Sequence, residues 1–344
     1  MDHSLATRRG ALRLGLAMLA GFGLAGRAQA AEPLRIGVLK LASSGPIFLA
    51  DALGYFREAG LDTSLTFFEA AQPVAVATVS GDIDVGVTGL TAGFYNLAGK
   101  GALKIIAAQA REEPGYKLVA VVASRKAAEA GLKSLNDLPG HSAGVTQTGS
   151  TFHYSLGLLA EKHGFDLAKV RLLPLQSVPN VVSAVKGGQV DAAILPATAA
   201  TPLLASGDAQ LIGRADETPW QVAAVFTAPK TIAARRPALE AFVKAYQRAL
   251  ADYHAAFLQR DTAGKPVAGP RADEFLAIIA RATGQSADSI RASIPFIDPG
   301  ARLLVGDIHR QVAWYQGQKL VDSKVDADAI LDLSFVPGQA DPSR

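Results

Sequence analysis

Two separate stretches of the chain repeat the same order of landmarks, and this repeat constrains the fold more than any other feature. Residues 44–48, Ser-Gly-Pro-Ile-Phe, and residues 148–152, Thr-Gly-Ser-Thr-Phe, each combine a strand end, a glycine and a helix start. In both copies a second glycine ends the helix at the same distance, Gly60 in the first and Gly164 in the second. The repeat predicts two similar α/β units.

A further pair of landmarks follows in the same order. Residues 79–85 and 185–191 each read as a helix end, a tight turn and a strand start. Because glycine and aspartate are frequent in turns, two unrelated βα units could share this likeness. Short strands alternate with helices through both copies, which predicts an α/β fold with a parallel or mostly parallel sheet in each unit.

Ligands of open α/β sheets bind beyond the carboxyl ends of the strands. We therefore expect a ligand between the two units, at the edges where their strands end. The segments predicted there are residues 42–45, 69–72 and 88–91 in the first unit, and 147–151, 176–179 and 196–198 in the second.

The N-terminus has the pattern of an export signal. A twin-arginine start at residues 7–10 precedes an apolar run at residues 14–26, and Ala28-Gln29-Ala30 is a small-x-small cleavage signature. The alternative is a membrane anchor, but the apolar run is shorter than the roughly 20 residues that span a bilayer. We expect residues 1–30 to be a signal peptide, cleaved after Ala30, that directs the chain to the periplasm.

The positive charge of the chain resides in this leader. Residues 1–30 hold four arginines and one aspartate, a net charge of +3, and the whole chain also carries +3. The mature chain is then close to neutral, and it has no run of like charges. Nucleic-acid binding usually requires a basic face, so no nucleic-acid partner is expected.

The sequence contains no cysteine, which excludes disulfides, thiolate nucleophiles and cysteine metal sites. It also argues against a lipoprotein anchor, so we expect a protein free in the periplasm. The six histidines show no zinc-ligand spacing, and no G-x-S-x-G motif is present. Asp82 and Asp84 could form an acid–base pair, but their place before a strand favours a turn. No cofactor, metal or catalytic residue is predicted.

Four ordered motifs carry a family resemblance that covers residues 33–335. They are residues 53–56 shortly before Gly60, residues 80–86, residues 135–140 followed by 143–145, and residues 148–153. Together they resemble the periplasmic substrate-binding proteins of ABC importers for sulfonates, nitrate, taurine and thiamine-pyrimidine precursors.

The resemblance implies a venus-flytrap fold of the type II-like class, with two α/β lobes joined by two crossovers around a ligand cleft. We expect residues 32–122 plus 220–344 in the first lobe and 123–219 in the second, with crossovers near residues 122–124 and 218–221. The chain would be a monomer that captures a small anionic molecule and delivers it to an ABC permease. A sensory receptor that presents the solute to a membrane partner is the alternative. Enzymes resembling this family, such as desulfinases, depend on a cysteine that is absent here.

Two helix starts are the main candidates for ligand binding. The helices after Gly45 and Gly149 would direct unpaired N–H groups and positive dipole ends into the cleft. The hydroxyl groups nearby belong to Ser43, Ser44, Ser150 and Thr151. Such an arrangement suits a sulfonate, a carboxylate or a small inorganic anion, although ordinary helix capping would use the same residue types.

Other candidates lie at or near the strand ends. Arg111 could pair with a carboxylate or sulfonate, or with Glu112 or Glu113 at the surface. His153 and Trp220 could contact the ligand or only pack. The remaining candidate ligand-binding residues are Gln72, Thr88, Gly89 and Thr198.

One segment departs from the family pattern. Many members carry an aspartate after the strand that corresponds to residues 192–195, whereas this chain has Pro-Ala-Thr-Ala at 196–199. The departure favours an anion with a neutral or aromatic body over an amino-sulfonate.

Overall fold

The computed structural model of the protein describes residues 31–338 and 340. The predicted signal peptide and its cleavage site after Ala30 lie outside the described residues. The first part of the described chain alternates strands with helices. Its elements are β1 (Glu32–Leu39), α1 (Gly45–Ala52), α2 (Tyr55–Glu58), β2 (Leu61–Phe68), α3 (Ala71–Ser80), β3 (Val85–Gly89), α4 (Ala92–Gly99), β4 (Lys104–Ala108) and β5 (Ala110–Glu112).

The second part repeats this alternation. Its elements are β6 (Val119–Ser124), α5 (Arg125–Glu129), β7 (Ser142–Val145), α6 (Thr151–His163), β8 (Arg171–Pro174), α7 (Val178–Lys186), β9 (Ala192–Pro196), α8 (Ala197–Ala205) and β10 (Ala209–Arg214). The last part is mostly helical. Its elements are β11 (Trp220–Gln221), β12 (Ala223–Thr227), α9 (Pro229–Phe257), β13 (Gln259–Arg260), β14 (Pro266–Val267), α10 (Ala272–Thr283), α11 (Ala287–Arg291), β15 (Phe296–Ile297) and α12 (Val305–Gly317).

Two five-stranded sheets with equivalent topology form the two lobes. The first lobe contains the sheet β2-β1-β3-β12-β4, and the second contains β10-β6-β9-β7-β8. In each sheet three neighbouring strands are parallel, and the fourth, β12 or β6, runs antiparallel to its neighbours. The expected α/β fold with two similar lobes is therefore confirmed, and both sheets are mixed.

The antiparallel strand of each sheet follows a crossover from the other lobe. The chain enters the second sheet at Val119 and returns to the first at Ala223. The first crossover thus lies before β6 and not at residues 122–124, because β6 pairs along its length with β9 and β10. Between the lobes, β5 pairs with β11 and β15 in a small antiparallel sheet, which we call the hinge sheet.

The helix expected over residues 46–59 is divided in two. Gly54 has a φ of +78°, a left-handed conformation that glycine adopts without steric penalty. The chain turns there, so that α1 ends at Ala52 and α2 begins at Tyr55. The break allows both helices to pack against the long helix α9.

A buried aromatic cluster connects the second lobe to the C-terminal part. Tyr154 of α6 lies 5.5 Å from Trp220 of the hinge sheet and 5.9 Å from Tyr315 of α12, measured between ring centroids. All three rings are 1% exposed or less. Burial of each ring contributes on the order of 2 kcal/mol, so this cluster holds the lobes together on the side where the chain crosses over.

Candidate functional site

A cavity lies between the two sheets, where strands of both lobes end. Its empty volume is about 810 Å³, part of it open to solvent. The side chains that line it are uncharged. They are Leu39, Leu41, Ala42, Ser43, Ser44, Ala70, Ala71, Val87, Thr88, Gly89, Thr91, Gln109, Leu118, Val119, Thr146, Gln147, Ser150, Thr151, Phe152, Val178, Pro196, Thr198, Val222, Ala223, Ser293 and Pro295.

Helices from both lobes begin at the cavity wall. In the first lobe α1, α3 and α4 start at or next to the lining residues Ser44, Ala71 and Thr91. In the second lobe α6, α7 and α8 do the same at Thr151, Val178 and the residues around Thr198. A helix N-terminus carries a partial positive charge and N–H groups with no acceptor in its own helix. These helix starts contribute partial positive charge to the cavity wall, and no basic side chain of the described residues lines it.

The wall formed by the first lobe is organised around Gln109, which follows β4. Its side chain is 2% exposed. The Nε2 group donates a hydrogen bond to the carbonyl oxygen of Ser43 at 2.9 Å, and it lies 3.4 Å from Oγ of Ser44. These bonds hold the loop that carries the two serines against the end of β4.

The wall formed by the second lobe is organised around the start of α6. Oγ of Ser150 accepts a hydrogen bond from the amide of His153 at 3.3 Å, so this hydroxyl caps the helix while it also lines the cavity. Nδ1 of His153 accepts a hydrogen bond from the amide of Gly149 at 3.1 Å. Burial lowers the pKa of His153 to about 4, so the ring is neutral at neutral pH and acts as an acceptor.

The two lobes touch beside the cavity. The amide of Ala92 in the first lobe donates to the carbonyl oxygen of Gly149 in the second at 2.8 Å. Gly89 at the end of β3 approaches Thr151 so closely that a Cβ on the glycine would lie 2.9 Å from Cγ2 of the threonine. The cavity is thus enclosed by lobes in direct contact.

A wider groove adjoins the cavity. Leu39, Leu41, Val178 and Thr198 line both spaces, so the two spaces share a wall. Among the described residues, charged side chains line the groove and not the cavity; they include Lys40, Glu69, Lys186 and Asp208.

Seven of the residues predicted from the sequence line the cavity. They are Ser43, Ser44, Thr88, Gly89, Ser150, Thr151 and Thr198. Gly45, Gln72 and Gly149 are neighbours of the lining and not part of it. Gly45 packs against Ile279 of α10, Oε1 of Gln72 accepts a hydrogen bond from Thr91 at 2.6 Å, and Gly149 contacts Ala92.

Arg111 does not line the cavity. It lies in the hinge sheet, 2% exposed, with Nε 2.8 Å from a carboxylate oxygen of Glu113. Its guanidinium group stacks over the ring of Phe296, 4.5 Å from the centroid. The ion pair with Glu113, one of the alternatives expected from the sequence, is present. It is buried and not at the surface, because β5 is the central strand of the hinge sheet, with β11 at one edge and β15 at the other.

His153 and Trp220 are likewise packed behind the cavity wall. The His153 ring lies 5.1 Å from that of Trp314, edge to face. Trp220 is 1% exposed in the hinge sheet, opposite Glu112. Both residues act on the site through the elements they position.

Sequence reasoning missed much of the lining. Thr91 and Gln147 fall within the predicted strand-end segments 88–91 and 147–151 but were not singled out, whereas Gln109 and Thr146 follow strands and were missed. Ser293 and Pro295 come from the C-terminal part, and no local pattern indicated that this segment reaches the cavity.

Within residues 31–338, no helix is long and apolar enough to span a membrane. The same described part of the chain contains no group of three or more histidine, aspartate or glutamate side chains arranged to hold a metal ion.

The fold occurs in solved structures of binding proteins. The alkanesulfonate-binding protein SsuA from Xanthomonas axonopodis pv. citri, bound to MOPS, is 21% identical, with a TM-score of 0.68 over 88% of this chain and 99% of that chain. The periplasmic nitrate-binding protein NrtA from Synechocystis PCC 6803 is 10% identical, with a TM-score of 0.68 over 91% of this chain and 92% of that chain.

An enzyme has the same fold. The desulfurization enzyme DSZB is 15% identical, with a TM-score of 0.61 over 89% of this chain and 97% of that chain. At these identities the likenesses show a shared fold and no more. No curated protein sequence matches the chain.

The family described as NMT1/THI5 like matches residues 42–256. This stretch is more than half of the chain, and it includes both crossovers and most of the cavity lining. The chain therefore belongs to the NMT1/THI5-like family and has the fold of periplasmic binding proteins.

Proposed function

We propose that the protein is the periplasmic solute-binding component of an ABC importer, which captures a small organic anion between its lobes and delivers it to a membrane permease. The observation that carries the proposal is the convergence of helix N-termini from both lobes on one enclosed, uncharged cavity. The names of two structural relatives, which bind an alkanesulfonate and nitrate, support an anionic ligand.

Electrostatics favour a single negative charge on the ligand. Each helix N-terminus contributes roughly half an elementary charge, and hydroxyl groups such as those of Ser43 and Thr88 add donors. No arginine or lysine among the described residues lines the cavity, so a multiply charged anion would lose hydration that the site does not replace. A sulfonate or carboxylate on a neutral body fits these properties.

The apolar part of the lining fits the body of such a ligand. Leu41, Leu118, Phe152, Val178 and Pro295 surround the polar donors. Within the part of the chain that the structure describes, no carboxylate lines the cavity, so a ligand with an ammonium group would bury that charge without a partner. An aliphatic or aromatic anion is therefore favoured over an amino-sulfonate.

The proposal includes the route of the protein. The twin-arginine leader would direct export, and cleavage after Ala30 would release the chain into the periplasm as a monomer. We propose the two sheets as the two lobes, with the hinge sheet between them. Processing is tested by N-terminal sequencing of the protein recovered from the periplasm, and the monomer by light scattering.

Ligand identity is tested by thermal unfolding against a panel of sulfonates, aliphatic and aromatic carboxylates, nitrate and pyrimidines. A ligand at a hundred times its Kd stabilises a protein by about 2.7 kcal/mol, which is a clear increase in Tm. Stabilisation by cationic or sugar ligands alone would disprove the anion assignment.

The fold shared with the desulfurization enzyme DSZB makes an enzyme the second candidate. The chain has no cysteine to act as a nucleophile, and we propose that it is not an enzyme. Incubation of the protein with each ligand that stabilises it, followed by mass spectrometry, tests this point. A ligand recovered unchanged supports binding, and a product formed at a rate above the buffer control would establish catalysis.

A further inference from the structure

A buried hydrogen-bond acceptor in the cavity wall bears on the chemistry of the ligand. Gln109 lines the cavity and is 2% exposed. Its Nε2 group is used by the carbonyl oxygen of Ser43. Its Oε1 atom is buried and has no hydrogen-bond partner among the described residues.

The orientation of this side chain is set by its neighbours. A carbonyl oxygen accepts hydrogen bonds and cannot donate, so rotating the amide by half a turn would place Oε1 against the Ser43 oxygen. The main chain is held as well, because the amide of Gln109 donates to the carbonyl oxygen of Ala223 at 3.0 Å. These two hydrogen bonds therefore fix the orientation of Gln109, and Oε1 is the end of its side-chain amide that is left unpaired.

We infer that the ligand carries an uncharged O–H or N–H donor that pairs with Oε1 of Gln109, in addition to its oxyanion. This inference rests on the proposed function. The oxyanion itself has only acceptor oxygens, which Oε1 repels, so it lies against the helix N-termini and the donor lies elsewhere on the ligand. The ligand class is a small organic anion whose body bears a hydroxyl or a neutral N–H group.

The arrangement gives selectivity as well as affinity. A site built to hydrogen-bond a hydroxyl or N–H group discriminates strongly against the analogue that lacks it, because the buried polar group then stays unpaired. An ammonium donor is disfavoured, since the cavity lining formed by residues 31–338 contains no carboxylate.

The test compares ligands that differ only in the donor. Calorimetry on the mature protein measures Kd for benzoate against 4-hydroxybenzoate and for ethanesulfonate against 2-hydroxyethanesulfonate, with phenol and uracil as neutral donors. We expect the hydroxylated member of at least one pair to bind about tenfold more tightly. Equal affinities within both pairs would overturn the inference, and this comparison requires no variant.

Gln109→Met removes the acceptor and keeps the length of the side chain, so it should abolish the preference. Because it also removes the hydrogen bond to Ser43, both members of each pair should bind more weakly, and the ratio of their Kd values is the readout. Gln210→Met changes an exposed glutamine of β10 that is not among the lining residues and should leave the preference intact. A preference that survives in Gln109→Met contradicts the inference. Suppose that no anion binds, and that phenol or uracil binds to the unaltered protein but not to Gln109→Met. The proposed anion function would then be wrong, and the inference that the ligand carries a hydrogen-bond donor would stand.

Discussion

Asp84 accepts a hydrogen bond from the backbone amide of Arg35 at 2.8 Å. The second lobe repeats this relationship, since Asp191 accepts from the amide of Ser142 at the same distance. Each aspartate directly precedes one strand, β3 or β9, and binds the parallel strand beside it, β1 or β7. The internal repeat of the sequence is thus also a repeat of hydrogen bonds.

The paired aspartates should stabilise their lobes to a similar degree. Asp84→Ala and Asp191→Ala each leave a strand amide without its acceptor, and we expect each to lower the free energy of unfolding by about 1–3 kcal/mol. Urea denaturation measures this change. Asp82→Ala is the control, because that side chain is exposed and its hydrogen bond within the described chain is to Ser80 of the same turn. Equal effects of all three substitutions would contradict the structural role.

The same carboxylates should make stability depend on acid. Burial raises the pKa of Asp84, but hydrogen bonds and charge from Arg35, with the charge of Arg235, lower it below its ordinary value. Burial also raises the pKa of Asp191, but the hydrogen bonds from Ser142 lower it, and the net result is again a pKa below the ordinary value. A depressed pKa contributes stability above the unfolded value, about 3.9, and that stability is lost as pH falls through the folded value.

We therefore expect the free energy of unfolding to decline below about pH 4. The double variant Asp84→Asn, Asp191→Asn should start less stable and decline less over the same range. Urea titrations at several pH values measure both curves, and parallel curves would show that other groups cause the acid dependence.

His153 should titrate far below an ordinary histidine. Its pKa is lowered to about 4 by burial, so folding favours the neutral ring. Its contribution to stability is complete above the unfolded value of about 6.5 and is lost as pH falls from there towards 4. NMR of the imidazole resonances measures the midpoint. A midpoint near 6.5 would mean that the ring is hydrated and not packed behind the cavity wall.

A methyl group at Gly89 should keep the lobes apart. Its Cβ would lie 2.9 Å from Cγ2 of Thr151 across the cleft, and overpacking of this kind costs about 1–3 kcal/mol. We expect Gly89→Ala to weaken ligand binding about tenfold, since only the closed form makes the interlobe contacts. Calorimetry with the best ligand of the panel measures the loss.

Two further variants separate this effect from general destabilisation. Gly306→Ala introduces a methyl group with no atom within 4 Å and should leave affinity unchanged. Thr151→Ser in the Gly89→Ala background removes the clashing methyl group and should recover part of the affinity. No recovery would mean that the contact between Gly89 and Thr151 does not control closure.

The fold was largely predictable because it depends on local signals. Glycines that end helices and turns that precede strands occur at matching places in both halves, and the predicted fold class and family are confirmed. The break in the first helix was missed, because Gly54 within an apolar helical pattern gives no sign of its left-handed φ of +78°.

The site was predictable only in part, as Gln109 and Arg111 illustrate. Both residues follow the same strand, and Arg111 had the charge expected of an anion ligand. Gln109 lines the cavity and Arg111 lies in the hinge sheet. The register that separates them is set by β12, whose Ala223 accepts the hydrogen bond from the amide of Gln109. That partner is remote in sequence and has no local signature.

By itself the sequence determined the α/β class, the two-lobed repeat and the helix starts at Ser44 and Ser150. These features depend on neighbouring residues, and neighbouring residues are what a sequence pattern contains. Only the tertiary structure decided that the cavity is lined by uncharged groups, that Arg111 is used by Glu113, and that Oε1 of Gln109 is left unpaired. Those outcomes depend on which distant strands and lobes meet, and on the hydrogen bonds that their contact uses or leaves open.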